Sequence, residues 1–101
     1  MVKGAMNDTM AAGKLMSDTD STLRAILQDV LGLSADRVAG FDASTGLFGD
    51  LPELDSMAVA GLLTEIEDRL DIVIEDDEVD GELLETYGAL LAFAEAKREA
   101  A

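Results

Sequence analysis

The sequence contains no cysteine, no histidine and no tryptophan. The first two absences together remove disulfides, thiol nucleophiles, Ser–His dyads and ordinary zinc sites. Serine, aspartate and glutamate remain, but they make poor catalytic sets without a base, so a free-standing enzyme is the least expected reading. Aromatic residues are scarce, at 4%, and proline occurs once, at Pro52. Strands favour aromatic and β-branched residues, so a core this poor in aromatics suits helices better than a β-sandwich. No apolar run reaches the roughly 20 residues of a membrane span. The N-terminus lacks the continuous apolar region of a secretory signal. A cytoplasmic monomer with no membrane span is expected.

Positive charge is also in short supply. Seven Lys and Arg stand against 22 Asp and Glu, a formal net charge of −15. A nucleic-acid binder needs the opposite sign to neutralise phosphates, and anionic membrane surfaces are disfavoured for the same reason. Basic protein partners are favoured, because complementary charge steers encounter. The 101 residues suit one domain, and 49% hydrophobic residues are enough for an aliphatic core.

Residues 1–16, rich in Met, Gly and small residues, show weak periodicity and are expected to form a flexible N-terminal arm before a domain spanning 17–101. Ser17-Asp18-Thr19-Asp20 resembles a capping box, with an acid three positions after the cap. Leu23, Ile26, Leu27 and Val30 follow at helical spacing, and Gly32 ends that helix. Residues 33–55 scatter Gly40, Gly46, Gly49 and Pro52 among Val38, Phe41, Leu47, Phe48, Leu51 and Leu54. This is a long loop too apolar to float free, and it should lie back on the bundle; loops of this length in compact domains are often functional.

Ser56 to Leu70 reads as the second helix. Val59, Leu62, Leu63, Ile66 and Leu70 fall within one arc at about 100° per residue. Met57, Gly61, Thr64 and Asp68 fall opposite and leave a second face bare. Asp71-Ile72-Val73-Ile74 is an extended exit, Asp76 can cap a short third helix holding Val79 and Leu83, and a last helix runs from about Thr86 to Glu99. Its inward residues are Tyr87, Leu90, Leu91, Phe93 and Ala94. The expected fold is all-α: four helices, the third short, with a long first loop.

The informative segment is Leu54-Asp55-Ser56-Met57, where the loop meets the second helix. A serine at a helix start is most often an N-cap, its hydroxyl accepting a backbone N–H. Here Asp55 precedes it, a bare face descends from it, and residues 50–85 hold 14 acids against one base, Arg69. Such a charge run is usually just a solvated surface; beside this serine it also suits docking of basic patches. Asp76-Asp77-Glu78-Val79-Asp80-Gly81 imitates an EF-hand loop, but its twelfth position is Tyr87 rather than a bidentate Glu. The first turn of an acidic helix is the better account, and no metal site is expected.

Over residues 17–98 the chain resembles the acyl carrier proteins. Asp55-Ser56-Met57 is similar to that family's Asp-Ser-Leu/Met signature, and the helix to Leu70 and the exit Asp71–Ile74 match it in length and pattern. The resemblance implies that Ser56 takes 4′-phosphopantetheine from coenzyme A, through a separate Mg²⁺-dependent phosphopantetheinyl transferase. It also implies a non-catalytic carrier whose arm holds acyl groups as thioesters. Partner docking would fall to Asp55, Met57, Thr64, Glu67 and Asp68, facing acyl-loading and acyl-transfer enzymes with basic patches. An acyl chain would shelter where Val59, Leu62, Leu63 and Ile66 meet Phe48, Leu83 and Leu91.

The chain departs from carriers of housekeeping fatty-acid synthesis at several points. Gly61 stands where they typically place an acid, Glu53-Leu54 replaces a small Gly-Ala pair, and the N-terminal arm is longer. The segment Leu51–Val59 looks like specialised carriers, including those of exosortase and exopolysaccharide clusters. Two other readings stay open: a cofactor-free acidic adaptor docking through the second helix, and a peptidyl or aryl carrier of a nonribosomal or polyketide system.

Overall fold

The stripe Leu23, Ile26 and Leu27 obliges the first helix to bury one face. In the computed structural model, which describes residues 18–100, these three side chains are fully buried on α1, Asp18–Leu31. Gly32 stops α1 with a φ of 69°, a left-handed conformation that glycine adopts without a Cβ penalty. The Leu33 N–H then turns back to the Gln28 carbonyl at 3.1 Å. Ser17, the arm expected over 1–16 and the start of the expected domain lie outside the described residues.

The connection after Leu33 holds a helix that its length and glycines concealed. Ser34 accepts the Arg37 N–H on its hydroxyl at 3.1 Å and so starts α2, Ala35–Ala39. The rest lies back on the bundle, as its apolar content requires. Leu33, Val38, Phe41, Leu47, Leu51 and Leu54 are all buried. A short backbone ladder holds it there. Phe48 donates to the Leu84 carbonyl at 2.9 Å and Leu47 to Glu85 at 3.0 Å, while Tyr87 donates back to Thr45 at 2.8 Å. Gly88 closes the ladder against the Ala43 carbonyl, which a Cβ at that position would approach to 2.7 Å.

The expected long helices are α3, Ser56–Leu70, and α4, Tyr87–Ala100. Leu62, Ile66 and Leu70 are buried on α3, and Tyr87, Leu90 and Ala94 on α4. Val59, Leu63, Leu91 and Phe93 pack half-buried at the margin. The third helix is shorter than its residues promised. It is a single 3₁₀ turn, Asp76–Glu78, followed by turns over 81–85. Its cap is Glu75 rather than Asp76: Glu75 and Glu78 bond reciprocally as a capping box. Helix α1 is central and packs on α3, α2 and α4.

Asp20 is the other departure. Instead of acting only in a first-turn cap, it is buried, and the Tyr87 hydroxyl of α4 donates a short hydrogen bond to its carboxylate. Arg24 binds the same carboxylate at 3.0 Å, then reaches the Val38 carbonyl at 2.6 Å and the Phe41 carbonyl at 3.0 Å. Its guanidinium also lies 4.7 Å over the Tyr87 ring, a cation–π contact. One buried cluster therefore joins α1, the long connection and α4.

Two results follow for stability. Tyr87→Phe removes a donor from a buried carboxylate and should cost about 1–3 kcal/mol in urea unfolding. Burial, with the Asp20 carboxylate as acceptor, pushes the Tyr87 phenol well above its ordinary value. A raised folded pKa gives stability that is present below the unfolded value, about 10, and lost as pH rises through the folded one. Denaturation midpoints should therefore fall above about pH 10, and Tyr87→Phe should remove that component.

Candidate functional site

The site forms where the long connection hands the chain to α3. Leu51 and Leu54 are buried and fix the inner side of the approach. On its outer side Arg37 grips Glu53 through both terminal nitrogens, at 2.6 and 3.3 Å. That fork holds the Glu53 carboxyl below its usual range. The pair explains Glu53-Leu54 at positions where small residues were the norm: Leu54 enters the core and Glu53 meets Arg37.

Asp55 then takes the N-cap. Its backbone is extended, at φ −93° and ψ −176°, and its Oδ1 accepts the Ala58 N–H at 2.8 Å. The local expectation that Ser56 caps this helix is thereby corrected. Ser56 is the first helical residue, it is exposed, and its hydroxyl has no hydrogen-bond partner among the described residues. The first turn of α3 carries no acid, so the free N–H groups and positive dipole end suit an anion held there.

One turn below Ser56, Val59 forms part of the wall of a cavity of about 270 Å³, with Phe48, Val79, Asp80, Gly81 and Leu84. The expected gap is therefore present, but its lining differs. Leu62 and Ile66 are sealed in the core, and Val79, Asp80, Gly81 and Leu84 supply the facing wall in place of Leu83 and Leu91.

The charge around α3 is largely uncompensated. Arg69 is spent on Asp29 and Glu65, each at 2.8 Å, and the bond to Asp29 leads in raising its pKa. Lys97 is spent on Glu78 at 2.7 Å, which holds that carboxyl below its usual range. Among the described residues no group of three or more metal-ligating side chains comes together.

Residues 21–94 match the family model of the phosphopantetheine attachment site. The structure is also similar to the solution NMR structure of a holo acyl carrier protein from Nitrosomonas europaea, with a TM-score of 0.74 and 40% sequence identity. That likeness covers 83% of this chain and 99% of the other. The chain belongs to the acyl carrier protein family. Comparison with curated proteins gave no match.

The prosthetic group of an acyl carrier protein is covalent phosphopantetheine, and the residues here fit one. An unengaged serine hydroxyl stands at a helix N-terminus, and a neighbour has taken over the capping. The other singled-out residues separate into two places. Thr64, Glu67 and Asp68 line one open surface depression with Glu65. Asp55 and Met57 stand at the head of α3, roughly 17 to 20 Å from Asp68 at 1.5 Å per residue. Met57 is 85% exposed. Glu67 is half-buried and accepts the Ile74 N–H at 2.8 Å, and the Thr64 hydroxyl donates to the Ala60 carbonyl at 2.9 Å.

Sequence reasoning missed Arg37, Val79 and Gly81. Arg37 and Glu53 are opposite charges 16 residues apart, and only the fold of the connection brings them together. Val79 was assigned to the third helix, which ends one residue before it, at Glu78. The division of labour at the head of α3 gives a direct check by thermal or urea unfolding. Asp55→Ala should lose about 1 kcal/mol with its cap, and Asp55→Asn should keep most of it. Ser56→Ala should stay within about 0.5 kcal/mol of the parent.

Proposed function

We propose that Ser56 is the phosphopantetheine attachment residue of this acyl carrier protein, and that the loaded chain delivers acyl thioesters to partner enzymes. One observation carries this reading: Asp55 caps α3 and leaves the exposed Ser56 hydroxyl unengaged at the helix start. In the transfer, Ser56 Oγ bonds to the phosphorus of coenzyme A's phosphopantetheine, adenosine 3′,5′-bisphosphate leaves, and the serine proton passes to a base of the transferase. When attached, the group supplies the thiol that a chain without cysteine lacks.

The chain's own residues bind and orient. The α3 N-terminus favours the phosphodiester. The cavity of Phe48, Val59, Val79 and Leu84 suits a short aliphatic cargo, drawing it out of water at about 0.8 kcal/mol per buried CH₂. Asp55, Met57, Thr64, Glu67 and Asp68 form the docking surface in this reading, an apolar anchor above an acidic descent. It suits a phosphopantetheinyl transferase and acyl-transfer enzymes with basic patches. The chain itself is non-catalytic, and its cysteine-free composition suits the cytoplasm. No helix among the described residues is long and apolar enough to cross a membrane.

A specialised partner set is favoured over housekeeping fatty-acid synthesis by Gly61. A Cβ there would meet only Val30 Cγ1, at 4.0 Å. Space does not demand glycine, so the missing acid on that face is a matter of partners rather than packing.

Intact mass tests the reading, after incubation with coenzyme A, Mg²⁺ and a broad-specificity transferase. The parent should gain one phosphopantetheine and Ser56→Ala none. An unchanged parent with several transferases, or a gain that survives in Ser56→Ala, would overturn it.

A further inference from the structure

The approach to Ser56 is held from both sides, and the outer hold has no other evident duty. Arg37 projects from the five-residue α2, which Ser34 caps. Its planar fork meets both oxygens of Glu53, three residues before Ser56 and two before the capping Asp55. The inner hold is Leu54, whose N–H also closes a turn onto the Leu51 carbonyl at 3.0 Å. Leu51 in turn bonds to the Leu47 carbonyl at 2.8 Å. Residues 51–54 are thus a short strap with its apolar side in the core and its one acid clasped by the preceding helix. The strap ends on Asp55, whose orientation decides whether the Ser56 hydroxyl stands free.

The clasp also acts through charge. Without Arg37, Glu53 would stand as an uncompensated carboxylate close to the serine that must meet a phosphorylated donor. Lysine is a poor substitute, because a point charge does not match both carboxylate oxygens. An exposed pair of this kind adds little to global stability, so its use lies in local order.

We propose that Arg37 and Glu53 are positioning residues for Ser56: their clasp fixes the strap 51–54, and through it the Asp55 cap, so that the serine is presented in one orientation to the enzymes that modify and load it. This rests on Ser56 being the attachment residue. Breaking the clasp should slow phosphopantetheine transfer in a chain that stays folded.

The experiment is a double-mutant cycle on the full chain, with Arg37→Glu, Glu53→Arg and the exchanged pair, each assayed for kcat/KM of phosphopantetheine transfer. Amide hydrogen exchange at Ala58 is followed in the unmodified proteins. Each single variant should transfer about two- to fivefold more slowly and exchange Ala58 faster by a similar factor, the range that an exposed ion pair commands. The exchanged pair should recover both. Arg37→Lys should recover only part. Parent-like rates in the single variants, or an exchanged pair as slow as the singles, would overturn the inference while leaving the attachment reading intact. A parent chain that accepts no phosphopantetheine would overturn both.

Discussion

Everything at the functional end of this molecule depends on holding down a connection of more than twenty residues, and the half-buried Arg24 guanidinium does much of that work. It satisfies the carbonyls of Val38 and Phe41 from within the bundle. Unpaired, those groups and the buried Asp20 carboxylate would each be costly. Paired, they fix where the connection leaves α2 and enters its ladder with residues 84–88. Tyr87 completes the cluster through its hydroxyl and its ring, which also lies 6.1 Å from the Phe41 ring. A small aliphatic domain has few large contacts to spend, and here they gather at one junction of α1, loop and α4.

From that junction the chain of cause runs outward. The anchored connection delivers Leu51 and Leu54 to the core, Glu53 to Arg37 and Asp55 to the head of α3. With the aspartate as cap, the serine beside it is relieved of a structural task. A residue of this kind can be chemically modified without unravelling the helix it begins, as a carrier requires. Arg69, the one base on α3, is committed to Asp29 and Glu65, which leaves Glu67 and Asp68 as the acids of that helix without an ion pair among the described residues.

Much of this was legible in the residues. The α3 boundaries, Ser56 and Leu70, follow from the arc of Val59, Leu62, Leu63, Ile66 and Leu70 and from the extended exit that begins at Asp71. Gly32 as the end of α1 follows from glycine's ease with positive φ. The burial of the long loop follows from its leucines. The parts that were hidden share a cause. Asp20, Arg24 and Tyr87 look like surface charges and a core tyrosine until the fold joins positions 67 residues apart in the case of Asp20 and Tyr87. The identity of the cap depended on one backbone angle, and serine and aspartate both qualify by type. The failure of Val79 and Leu83 to form a helix reflects Gly81 and a crowd of carboxylates that hydrogen-bond their own backbone, as Asp80 does to the Glu82 and Leu83 N–H groups.

The central claim is that Ser56, freed by Asp55, bears the arm in the working protein. The most direct measurement is fragmentation mass spectrometry of the peptide spanning Leu54 to Met57, from protein recovered from the cells that make it. The account predicts a phosphopantetheine mass on Ser56 itself. The same mass on any other serine or threonine, or a Ser56 peptide recovered wholly unmodified, would contradict it.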